Sequence, residues 1–175
     1  GLRPSDLSGR EGLTAEDMWP YEWPVKDEDV VALFLGQFVE WDGWRNALIA
    51  QAHGFETWPT AMAGTGMNYE SLDNAVVGIH ERMKFLKFGY GRACDLVSLH
   101  IRRGRLTRDE GMAIVLEHDG VVPWLYLGWT LEAVVSAMGL SLEEYWVIED
   151  RFVNRALLKR TDDPKRRWTW IDAAT

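Results

Sequence analysis

A single cysteine, Cys94, among 175 residues excludes an internal disulfide and fits a reducing compartment. Long apolar runs are missing too: no stretch approaches the roughly 20 residues that span a bilayer. The chain starts at Gly1 without the basic-then-apolar pattern of a signal peptide, and a first residue other than methionine reads as a truncated or processed chain. These absences predict a cytoplasmic protein that makes no use of a membrane. His53, His80, His100 and His118 lack metal-ligand spacing and cysteine partners, so no metal site is expected. What the chain does have is 47% hydrophobic residues and ten tryptophans, enough to build one sizeable core.

Charge is unevenly placed. The net charge is −8, yet the stretch from Arg82 to Arg108 holds eight basic residues against one acid, Asp95, for a local +7. The remainder therefore carries −15. A solvated surface mixes its signs, so this concentration points to an anionic ligand, with helix ends and ordinary ion pairs as the plain alternative.

The pattern predicts a mainly α protein: an irregular N-terminal segment, then a bundle of about five or six helices with few or no strands. Residues 1–29 are rich in Gly, Pro, Trp and acid, with Pro4, Pro20 and Pro24 as breakers. Val30-Val-Ala-Leu-Phe-Leu35 is an apolar run that reads equally as a buried strand or a helical turn. A helical domain is expected over 30–154, followed by a charged tail over 155–175 that ends in Trp168-Thr-Trp170 and either docks or frays. Within the domain, Asp42 caps a helix closed by Gly54, and Ser71 opens a second whose stripe is Leu72, Val76, Ile79, Met83 and Leu86. A third runs from Gly91 to about Arg103, with Ala93, Leu96, Val97, His100 and Ile101 inward. Thr107 with Glu110 and Ser141 with Glu144 form capping boxes, Thr130 opens another helix, and Gly120 and Gly139 mark stops. Tyr145, Ile148 and Phe152 give the last helix its stripe.

His80, Lys84 and Lys87 recur at spacings of four and three, so they share one side of a helix. The turn Gly89-Tyr90-Gly91 then presents a new helix N-terminus, with open amides and partial positive charge, beside Lys87 and Arg92. Such a place suits phosphate. Lys84, Lys87 and Arg92 are thus the expected anion contacts, with Arg102 and Arg108 behind them. Gly89 and Gly91 are expected where backbone approaches the ligand, and Tyr90 as a surface aromatic. Asp95 either orients Arg92 and Arg102 or acts as a base, and His80 is the candidate for proton transfer. Cys94 lacks a nucleophile–base pattern and reads as a small buried thiol. Trp41, Trp44 and Trp58 suit stacking on a sugar and core packing equally.

Phe34-Leu-Gly, Trp41-Asp42, Gly64-Thr65, Ser71-Leu-Asp-Asn74, Gly78-Ile-His80, Lys87-Phe-Gly-Tyr-Gly-Arg-Ala-Cys-Asp95, Ile101-Arg-Arg-Gly104 and Thr107-Arg108 occur in order. This set, spread from about Val30 to about Val153, resembles the C-terminal half of the N-acetyl sugar amidotransferases. That family belongs to the ATP-pyrophosphatase (PP-loop) superfamily and acts in bacterial surface-polysaccharide biosynthesis. The resemblance implies conversion of an N-acetyl group on a nucleotide-linked sugar to an acetamidino group, with AMP and pyrophosphate released. It further implies ammonia from a glutaminase acting with a cyclase-like synthase subunit. ATP with Mg would be held by an N-terminal domain, because the superfamily's Ser-Gly-Gly-x-Asp-Ser loop is not in this sequence; Ser8-Gly-Arg-Glu-Gly12 lacks the second glycine and the Asp-Ser pair. No cofactor is expected within the chain itself.

Two other classes compete with this reading. Thr130 to Tyr145 has the outline of a helix-turn-helix, but residues 109–175 carry −5, and Glu143, Glu144, Glu149 and Asp150 would repel DNA. The first 81 residues carry −10 and suit a docking module for partner subunits. An oligomer remains open.

Overall fold

The computed structural model describes residues 3–22 and 31–171, arranged in two units, Gly1–Gly43 and Trp44–Thr175. In the first unit the expected irregularity holds among the described residues. Two 3-10 turns, Pro4–Leu7 and Trp19–Tyr21, flank a one-turn helix, α1 (Ala15–Met18), which opens on a Thr14–Asp17 capping box. Pro24 and Val30 lie outside the described residues. The rest of the apolar run is neither a strand nor buried: Val31, Leu33, Phe34 and Leu35 are all exposed, and only Leu35–Gln37 makes a 3-10 turn.

Caps and glycines cut the described residues of the second unit and the link before it into six helices. Helix α2 (Gly43–Ala52) starts directly after Asp42 and ends before Gly54, as expected. The next helix does not start at Ser71. That residue has φ 59°, its carbonyl accepts the Tyr126 hydroxyl at 3.0 Å, and Asn74 Oδ1 accepts the Val76 amide at 2.8 Å. These local bonds offer the backbone an alternative to a helical turn, so α3 (Val77–Phe88) begins only at Val77. Helix α4 (Arg92–Arg102) follows the turn at Gly89, and the Thr107–Glu110 box starts α5 (Arg108–His118). A small hairpin, β1 (Leu125–Tyr126) and β2 (Trp129–Thr130), precedes α6 (Leu131–Ala137) and α7 (Leu142–Phe152).

The last segment is part of the core. Asn154 donates its amide to Leu86 O at 2.8 Å, and β3 (Leu158–Arg160) pairs antiparallel with β4 (Trp168–Trp170), Lys159 opposite Thr169. Leu158 and Trp168 join Phe85, Leu86 and Val153 in one apolar cluster, and Trp170 meets Phe85 edge-on at 5.1 Å. A second cluster gathers Ile79, Val122, Leu131, Val134, Val135 and Tyr145. The two short sheets fit the expectation of few strands, and the tryptophan-bearing tail docks because it buries an indole that solvent would otherwise hold exposed.

Two stripes differ from the pattern. On α3 the inward residues are Ile79, Arg82, Phe85 and Leu86, while Val76 is exposed. On α7 they are Tyr145 and Glu149, while Phe152 is exposed. The displaced positions are explained by one pair: Arg82 Nε and Nη2 meet Glu149 Oε2 and Oε1 at 2.6 and 2.8 Å, both side chains fully buried. Arg82 also donates to Gly120 O at 2.6 Å and Arg166 O at 2.9 Å, so its donors are satisfied where water is absent.

Candidate functional site

The positive stretch divides among several places. Arg82 belongs to the core pair just described. Lys84 is ion-paired with Asp95 and lies 5.1 Å over the Tyr90 ring. Arg92 Nη2 meets Glu70 Oε2 at 2.9 Å. Burial works against the Arg92 charge, but Glu70, Glu81 and Asp95 raise its pKa overall. Lys87 turns the other way, 4.6 Å over the Phe152 ring, and His80 is exposed on α3. Asp95 therefore holds Lys84 rather than bridging Arg92 and Arg102. Arg102 and Arg108 are exposed at the opposite end of α4, roughly 15 Å away at 1.5 Å per residue. Lys84, Tyr90, Arg92 and Asp95 are thus brought together; Lys87, Arg102 and Arg108 are not.

Sequence reasoning missed Glu70 and Glu81 in this seam. Glu81 is buried on α3, and its Oε2 has no hydrogen-bond partner. Among the described residues no group of three or more His, Cys, Asp or Glu side chains is placed to hold a metal ion.

The N-terminus of α4 is already filled. Asp119, at the end of α5 and fully buried, accepts the Gly91 amide at 2.8 Å and the Ala93 amide at 3.0 Å. Ala93 N also donates to Gly64 O at 2.9 Å. A Cβ on Gly91 would stand 2.5 Å from Asp119 Oδ1, so glycine is required here for an internal carboxylate. The expected phosphate seat is occupied by the chain itself. Burial pushes the Asp119 carboxyl up to about 6 against the pull of the amides that bond it. Cys94 beside it is raised by burial and by Asp119, which disfavours the thiolate and fits a structural thiol.

The other end of α4 is open. Its last turn closes with Gly104 N donating to Ile101 O and Arg105 N donating to His100 O, both at 2.9 Å, the paired bonds of a Schellman end. That turn projects Arg105 toward α2, where the guanidinium lies 4.6 Å over the Trp44 ring. Trp44, Leu48 and Gln51 share one face of α2 by their spacing. Opposite them, residues 57–69 fold into a loop held by Trp58 N to Asn68 O at 2.8 Å and Met62 N to Met67 O at 2.9 Å. Between these walls lies a pocket of about 620 Å³. Buried His100 and half-buried Tyr69 line it, their Nε2 and hydroxyl 3.1 Å apart, and Met67 and Ile114 add apolar surface. Among the described residues no carboxylate lines it, and Arg105 contributes a guanidinium. Of the three tryptophans considered for stacking, Trp44 lines this space; Trp58 is partly exposed outside it, and Trp41 belongs to the other unit.

Among the described residues no helix is long and apolar enough to cross a membrane. No curated protein matches the chain. A family profile does, the LPS biosynthesis protein WbpG-like C-terminal domain, over residues 54–173, which takes in the α3–α4 seam, the Asp119 joint and most of the pocket wall. The chain therefore belongs to the WbpG-like C-terminal domain family of lipopolysaccharide biosynthesis proteins.

Proposed function

We propose that this chain is the C-terminal part of an ATP-dependent N-acetyl sugar amidotransferase. The complete enzyme would convert the N-acetyl group of a nucleotide-linked sugar to an acetamidino group in lipopolysaccharide or a related glycan. The observation that carries the reading is the ordered motif set, most of which, from Gly64 to Arg108, falls inside the region matched to a lipopolysaccharide-biosynthesis family. Lys84, Tyr90, Arg92 and Asp95 form its polar seam between α3 and α4, with Glu70 and Glu81 adjoining.

The start of α4 offers no open amides to a triphosphate, because those of Gly91 and Ala93 are bonded to Asp119. ATP and its Mg would be held by residues outside the chain, and ammonia would come from a glutaminase with its cyclase-like synthase partner. What the seam contributes under this reading is orientation: Arg92, kept charged and fixed by Glu70, would hold an anionic part of the substrate.

The test is a reaction of the complete enzyme with ATP, Mg, an ammonium salt and a panel of UDP-N-acetyl sugars. The expected result is sugar-dependent AMP and pyrophosphate, replacement of the acetyl oxygen by nitrogen in the product mass, and a lower rate for Arg92→Ala. An enzyme that forms no AMP and leaves every acetyl group intact would refute the reading.

One observation favours a docking role beside the catalytic one. Val31, Leu33, Phe34, Leu35, Phe38 and Trp41 are each more than half exposed, a density of apolar side chains that a solvated surface rarely carries. Loss of a co-purifying synthase subunit on replacing Phe34 and Phe38 by serine would support that role.

A further inference from the structure

We infer that Glu81 is a ligand-binding residue, and that the seam between α3 and α4 takes on its carboxylate a planar cation with paired N–H donors, an amidinium. The observation is a charge left over. Among the described residues the seam holds two cations and three carboxylates; Lys84 takes Asp95 and Arg92 takes Glu70, which leaves Glu81. Glu81 is only 9% exposed, and its Oε2 has no hydrogen-bond partner. A buried carboxylate without a partner is costly, and such groups persist where a ligand or a reaction needs them.

The surroundings define what that carboxylate can receive. Gly64, at φ 82°, brings the 62–67 turn so close that a Cβ on it would stand 3.3 Å from Glu81 Cβ, and Gly64 O accepts the Ala93 amide of α4. Arg92 feels the Glu81 charge from α4, and Tyr126, whose hydroxyl donates to Ser71 O, feels it from β1. The side chains of Lys84, Asp95 and Arg92 are 21%, 39% and 37% exposed, so the seam is closed at Glu81 and open at its rim. An anion would meet Glu81 with like charge, and a neutral hydroxyl would leave the charge uncompensated. An amidinium brings a full positive charge and two parallel N–H donors, the geometry a carboxylate accepts in an arginine pair. The inference rests on the amidotransferase reading for the origin of that group. There a neutral acetamido group enters and a cationic acetamidinium leaves, so a carboxylate at this point favours the product side of the change. Arg92 and Glu81 would then take the two opposite charges of one ligand.

Amide NMR titration of the labelled chain with acetamidinium chloride, acetamide and ammonium chloride tests the site. Acetamidinium should shift the amides of Gly64, Glu81 and Arg92. Acetamide has the same shape without the charge, and ammonium has the charge without the plane, so both should move them far less. Glu81→Gln should weaken acetamidinium binding by about tenfold, the scale of a charge-assisted hydrogen bond. Glu117→Gln, at a side chain 76% exposed, should bind as the wild type does. If Glu81→Gln does not fold, the contrast between acetamidinium and acetamide on the wild type decides. No shift in the seam with acetamidinium, ammonium binding as tightly, or equal affinity in Glu81→Gln would overturn the inference and leave Glu81 a structural carboxylate. Acetamidinium bound through Glu81, beside a complete enzyme that forms no acetamidino product, would leave the site standing and sink the amidotransferase reading instead. A product-forming enzyme whose chain ignores acetamidinium would do the reverse.

Discussion

The two ends of α4 meet the same kind of demand in opposite ways. At its N-terminus, free amides and a glycine would suit an anion, but Asp119 arrives from the end of α5 and takes them. At its C-terminus, where a helix presents carbonyls, the chain builds an open pocket and places Arg105 on its rim. A helix N-terminus is a ligand site only if no internal carboxylate has claimed it. The closed end is a structural joint, and the open end has the volume.

If that contrast is right, substitutions at the closed end should cost far more stability than those at the open end. The largest effect is expected for Glu149→Ala. It strands Arg82, which braces the joint through Gly120 O, and an unpaired buried charge costs about 3–5 kcal/mol, read from urea melts. Asp119→Ala comes next, at about 3 kcal/mol, because buried amides of Gly91 and Ala93 lose their carboxylate acceptor.

Asp119 also gives the joint a pH signature. Its folded-state pKa of about 6 lies above the ordinary carboxylate value of 3.8, so the folded state binds the proton more tightly. Its contribution to stability is therefore greatest below about pH 4 and is lost as pH rises through 6, by up to about 3 kcal/mol at 1.4 kcal/mol per unit. Melts between pH 4 and 7.5 should show this fall in the wild type and not in Asp119→Asn. At the open end, Thr107→Ala removes one exposed cap and should cost only about 1 kcal/mol in the same melts.

The helices were legible because their signals are local. Thr107 with Glu110 and Ser141 with Glu144 close as capping boxes in the structure, and Gly89 sits at φ 76° where α3 ends. The start of α3 was missed because Ser71 and Asn74 satisfy the backbone with their own turn. The buried ion pair was readable in principle: Arg82 stands between Ile79 and Leu86 on an apolar stripe, and Glu149 between Tyr145 and Val153. Counting charge along the chain, without asking which face each residue occupies, put Arg82 into a basic stretch whose surface it does not join.

The candidate sites were legible only in part. Lys84, Tyr90, Arg92 and Asp95 do converge, but the carboxylates that pair or surround them, Glu70 and Glu81, come from elsewhere in the sequence with no motif of their own. Asp119 and Gly91 are 28 residues apart, and Tyr69 and His100 are 31 apart. Contacts of that range depend on how α4 and α5 pack, which spacing along the chain does not encode. Trp44 was legible as a stacking candidate from its residue type, but its pocket exists only because the 57–69 loop lies opposite it.

The most direct measurement follows the amide NMR signals of Gly91 and Ala93 in the labelled chain as inorganic phosphate is added. Signals that stay in place are the predicted result, because Asp119 holds both amides. Shifts concentrated at Gly91 and Ala93 would mean that phosphate displaces Asp119 from the helix N-terminus and that the closed end is a ligand site after all.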